Sequence, residues 1–135
     1  MTLFVVLPPN HDTINHVDIK ITEEDNNVLI SPFSKGQFCQ ALFQMHYDKS
    51  PGPDGFNPAF YKHFWDLIGD GIFMATTSCL NIGEFPPLLK NNDIVLIPKK
   101  ENPLSMLDLR PKSLCNVLYI IISKVLANRL KNFAP

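Results

Sequence analysis

Apolar residues recur three and four apart between Ser34 and Met45, so Phe38, Ala41, Leu42 and Met45 share one helical face. The stretch S-K-G-Q ahead of them fits a capping box, with Ser34 at the N-cap and Gln37 three residues on. A helix near 34–46 follows. It stops at S-P-G-P-D-G, where proline removes N–H donors and clashes with continuation. Asn57-Pro58 restarts a helix, expected over 58–68, because asparagine caps well and proline is tolerated in the first turn. Ile72, Ala75 and Cys79 form the stripe of a third helix over 71–81, with Gly83 as its C-terminal cap. E-F-P-P-L-L-K reads as a loop.

The period then changes. D-I-V-L-I-P-K-K is short, β-branched and closed by proline, which predicts a strand. L-D-L-R-P-K-S-L-C predicts a returning strand, and the two make one antiparallel hairpin between Asp93 and Leu114. Pro111 cannot donate a ladder bond, so a local twist is expected to turn Lys112 away from Arg110. The last helix, 116–132, carries Leu118, Ile121, Ile122, Val125, Leu126, Leu130 and Phe133 on a broad buried face. Residues 1–30 show no clear period and read as a linker or N-terminal extension with one short strand, Val17–Ile21. The whole is α+β: mostly helical, with one hairpin.

Composition narrows the function classes. The 135 residues are 45% hydrophobic and 19% charged, as expected of one folded domain rather than a disordered chain. The net charge of −1 hides an asymmetry. Residues 1–89 hold 4 Lys/Arg against 10 Asp/Glu, and residues 90–135 hold 8 against 3. A basic C-terminal part can face a polyanion. Cys39, Cys79 and Cys115 are odd in number and scattered, and His11, His16, His46 and His63 form no ligand spacing, which argues against a disulfide framework and against a metal site. Lys124 and Arg129 interrupt the most apolar run, so no membrane span is expected, and an intracellular location, nucleus or cytoplasm, is.

Three segments in this order and spacing resemble the reverse transcriptase domain of non-LTR, LINE-type retrotransposons, and the plant forms in particular: A-L-F-Q-M-H-Y-D-K-S-P-G-P-D-G-F-N-P-A-F-Y-K-H-F-W, N-D-I-V-L-I-P-K-K-E-N-P-L-S-M-L-D-L-R-P-K-S-L-C-N-V-L-Y and I-I-S-K-V-L-A-N-R-L. The resemblance covers residues 20–135. It implies residues 31–135 are the fingers part of a right-hand RNA-directed DNA polymerase, with palm and thumb absent. Lys99 and Arg110 would contact the triphosphate of the incoming nucleotide. Lys100, Lys112, Lys124 and Arg129 are candidate template contacts. Pro51, Gly52, Pro53, Asp54 and Gly55 would form a structural turn, with Asp54 capping it. The chain departs from the family at Lys112, where an apolar residue is usual, and at Ile120, where a basic one is.

Nucleotidyl transfer needs divalent metals held by clustered carboxylates. The resemblance implies Mg²⁺ in the full-length protein, bound by palm aspartates and a Y-x-D-D hairpin, and no Y-x-D-D occurs here. The expectation is therefore a truncated, inactive polymerase domain with no catalytic residue, metal ligand or cofactor of its own. Its full-length partners would be an RNA template, a DNA primer and a deoxynucleotide. Two other classes compete. One is a helical interaction module that self-associates through apolar helix faces. The other is a weak single-strand-binding remnant using Tyr61, Trp65 or Tyr119 as stacking platforms.

Overall fold

The computed structural model describes residues 21–133. The chain divides into two units, the first ending at Ser31 and the second beginning at Pro32. Within the first, Glu23–Ile30 forms helix α1. A linker was expected there, since no apolar stripe marks the segment. Its caps make the helix instead: Thr22 Oγ1 accepts the Asp25 N–H at 3.2 Å, and Asp25 Oδ2 accepts the Thr22 N–H at 2.9 Å. Glu23, Glu24 and Asp25 in the first turn also complement the helix dipole. Val17–Lys20 of the expected strand lie outside the described residues.

The second unit is helical with one hairpin. Helix α2 (Lys35–Phe43) buries Phe38, Ala41 and Leu42. The Ser34 N–H donates to Gln37 Oε1 at 3.1 Å, one half of the expected capping box. The Pro51–Gly55 corner reverses the chain into α3 (Pro58–His63), capped by Asn57 Oδ1, which accepts the Phe60 N–H at 3.1 Å.

The boundaries of the next two helices differ from the sequence reading. The break falls at Phe64, and one helix, α4, runs from Trp65 to Ile82. The gap expected between residues 68 and 71 holds Gly69 and Asp70. Yet glycine is tolerated inside a helix, and here Gly69 is buried beneath the Trp65 ring. A Cβ on Gly69 would sit 2.9 Å from Trp65 Cε2. Gly83 ends α4 at φ +77°, as a left-handed cap should. Pro87–Lys90, expected as loop, makes one helical turn, α5, with proline in its first turn.

Strands β1 (Asn92–Pro98) and β2 (Leu109–Cys115) pair antiparallel, with a short 3₁₀ turn at Met106–Asp108 before β2. Helix α6 (Val117–Lys131) closes the unit. The core lies mainly between α2 and α6. Phe38, Ala41, Leu42 and Met45 meet Val117, Ile121, Ile122 and Val125, with Tyr61 and Trp65 alongside. No residue of β1 or β2 joins that core, so the hairpin stands off the helical body. Six helices and a two-stranded antiparallel sheet among the described residues make the fold α+β.

Candidate nucleotide-binding hairpin

The register is one-to-one along the ladder: Ile97 faces Arg110, Leu96 faces Pro111, and Val95 faces Lys112. There is no bulge at Pro111. Side chains alternate along a strand, so Arg110 and Lys112 share a face with Val95 and Ile97. The expected separation of the two cations does not occur. Pro111 lacks only an N–H, and among the described residues this ribbon has no third strand to receive one. Arg110 and Lys112 lie about 7 Å apart along the strand. Both are exposed, and neither makes an ion pair among the described residues.

The ladder continues one residue past β1, where the Lys99 N–H donates to the Asp108 carbonyl at 2.7 Å. Lys99 therefore extends the same face, while its Nζ donates to the Leu107 carbonyl at 3.0 Å. Lys100 is paired with Asp108 at 2.9 Å. Asp108 also accepts the N–H groups of Leu104 at 2.9 Å and Ser105 at 3.1 Å. The Lys100 ammonium, with these N–H donors, holds the Asp108 carboxyl below the usual carboxylate range. Asp108 thus knots the tip of the hairpin. The S-x-x-D spacing from Ser105 is a capping signal that the sequence reading passed over.

The other candidate cations separate. Lys124 is half-buried on α6. Arg129, expected among the template contacts, is 8% exposed. Its guanidinium carbon lies 3.9 Å from the centre of the Phe33 ring, and Nη2 donates to Gln37 Oε1 at 3.0 Å and to the Pro32 carbonyl at 3.4 Å. It ties α6 to the start of α2 instead of meeting solvent. Tyr61 and Trp65 are core residues, and Tyr119, 38% exposed, packs edge-on to Phe85.

The proline-glycine corner supports the hairpin from below. The Gly55 N–H donates to the Gly52 carbonyl at 3.0 Å, and Asp54 Oδ1 accepts the Phe56 N–H at 3.0 Å. Asp54 is therefore a turn cap. Burial, then the Asp54 charge and a hydrogen bond to it, pushes the Tyr61 phenol up to about 12. Gly52 is buried against the junction of β2 and α6, where a Cβ would lie 2.4 Å from the Asn116 nitrogen. In the sequence Asn116 marks only a helix start. An open groove of about 290 Å³ runs past Pro53, Asp54, Leu88 and Asn116.

Among the described residues, no three His, Cys, Asp or Glu side chains gather around a point that could hold a metal ion. The donor set does not fit the Mg²⁺ that the resemblance implies for a full-length polymerase. None of the described helices is long and apolar enough to cross a membrane.

No family model matches the chain. It is 32% identical over 112 residues to the "Transposon TX1 uncharacterized 149 kDa protein" of Xenopus laevis. The alignment covers 83% of this chain and 9% of the length of that relative. The likeness supports derivation of the chain from a LINE-type retroelement.

Proposed function

We propose that the chain is the fingers part of an RNA-directed DNA polymerase from a LINE-type retroelement, and that its hairpin grips the triphosphate of the incoming nucleotide. The observation that carries this is the unbroken register through Pro111, which sets Arg110 and Lys112 side by side on an exposed face, neither in an ion pair among the described residues. Lys99 extends that face toward the tip. The transposon likeness supports the same reading. The arginine fork suits bidentate contact to phosphate oxygens, and the lysines act as point charges. Opposite them, Val95 and Ile97 lie in cross-strand contact range, about 5 Å between Cβ atoms, and can pack the long stems while the charged heads reach out. These residues bind and orient phosphate. Metal chemistry is not assigned to them.

The test is an amide NMR titration of the purified chain with a deoxynucleoside triphosphate. Shifts should centre on Val95, Ile97, Arg110 and Lys112, and weaken in Arg110→Ala and in Lys112→Ala. The same sample should extend no primer on an RNA template. Shifts centred on the helices, or unchanged by both substitutions, would reject the reading.

A further inference from the structure

Because no strand residue enters the core, the hairpin's angle to the helical body must be set at its two roots. They lie side by side, Asn92 opposite Cys115. The Asn116 side chain, at the root of β2, reaches the helical turn that leads into β1 and the proline-glycine corner. Asn116, 4% exposed, accepts the Asp54 N–H on Oδ1 at 3.1 Å and donates from Nδ2 to the Leu88 carbonyl at 2.9 Å. Leu88 lies in α5, just ahead of β1, and Asn116 itself joins β2 to α6. A short planar amide engaged at both ends acts as a spacer of fixed length and orientation. Gly52 completes the seat, since only a residue without Cβ lets the corner approach the Asn116 backbone this closely.

We propose that Asn116 is a positioning residue that fixes the hairpin's orientation, with the Pro51–Gly55 corner as its socket. The helical body does not depend on it in the same way, because its apolar core closes without the strands. Releasing Asn116 therefore frees the hairpin as a unit and leaves α2, α4 and α6 packed. The hairpin's orientation follows from these contacts alone. Its consequence for nucleotide affinity rests on the function proposed above. A hairpin correctly placed a tenth of the time would weaken apparent triphosphate affinity about tenfold.

Residual dipolar couplings of backbone amides in the full chain test this directly. In the unsubstituted protein, the couplings of β1 and β2 should fit the same alignment as those of α2, α4 and α6. In Asn116→Ala, the strand couplings should shrink together while the helical ones keep their fit. Asn116→Ser keeps a buried polar atom that cannot span both partners. It should behave alike, and it serves if the alanine variant does not fold. Ile122→Val, which weakens the core without touching the roots, should leave the strand couplings in place. Strand couplings that stay aligned in the folded Asn116 variants, or that shrink equally in Ile122→Val, would overturn the proposal. Loosening by Asn116→Ala in a chain that binds no triphosphate would leave it standing and reject the nucleotide reading instead.

Discussion

Arg129→Ala should destabilise the protein by about 2–4 kcal/mol and leave phosphate binding alone. The magnitude comes from what the guanidinium touches. A hydrogen bond from a charged donor, here to Gln37 Oε1 at 3.0 Å, contributes about 1.5–3 kcal/mol. Stacking on Phe33 at 3.9 Å adds about 0.5–2 kcal/mol. The bond to Pro32 at 3.4 Å is long and adds little. Against these stands the cost of holding a cation, 8% exposed, out of water, which the substitution relieves. Arg129→Met keeps the stem packing and also sheds that cost, so it should lose about half as much as alanine. Urea unfolding followed by circular dichroism measures both. A domain of this kind has only ~5–15 kcal/mol to lose, so the shift in midpoint will be plain. An Arg129→Ala midpoint equivalent to less than about 0.5 kcal/mol, the range of ordinary surface changes, would refute the structural role. A loss of triphosphate-induced shifts at unchanged stability would make Arg129 a nucleotide contact instead.

Three further outcomes are expected. Gly52→Ala should cost about 1–3 kcal/mol or more, because its Cβ would meet backbone atoms of Cys115 and Asn116 at 2.4–2.5 Å; unfolding at the wild-type midpoint would contradict it. Stability should fall as pH rises from about 10 to 12, by on the order of 2–3 kcal/mol, because the unfolded Tyr61 phenol ionises first while the folded one is held at about 12. Tyr61→Phe should flatten that slope, and an identical slope in the variant would show that another group titrates. The Asp108 knot should hold above the ordinary carboxylate range and loosen as pH falls through the lowered folded value. Asp108→Asn should speed hydrogen exchange at Leu104 and Ser105 at neutral pH, and unchanged exchange there would remove Asp108 from that role.

Local signals were legible without a structure. The 3.6-residue spacing of Phe38, Ala41, Leu42 and Met45 and that of Ile121, Ile122 and Val125 placed the two helices that make the core. Asn57, Gly83 and the Gln37 half of the Ser34 cap work as their sequence positions promised, since caps act within one helical turn. The strand period and the proline after Ile97 located the hairpin. Helix α1 was missed because it is held by its caps and presents no apolar stripe. The break expected between residues 68 and 71 falls at Phe64 instead, because what a glycine such as Gly69 does inside a helix depends on the neighbour above it, here Trp65.

Other features are long-range and belonged to the tertiary structure. Strand alternation told which faces Arg110 and Lys112 could take, but only the register showed the ladder running unbroken through Pro111. Charge alone could not separate Arg129, stacked on Phe33 and bonded to Gln37 92 positions away, from the exposed cations. The stiffness of the Pro51–Gly55 corner was written in its prolines and glycines. Its role was not, because the partner of Asp54 lies 62 positions on, at Asn116. Period and capping act over a few residues of chain, whereas burial of a charge and the seating of an amide depend on which distant segments the folded core brings together.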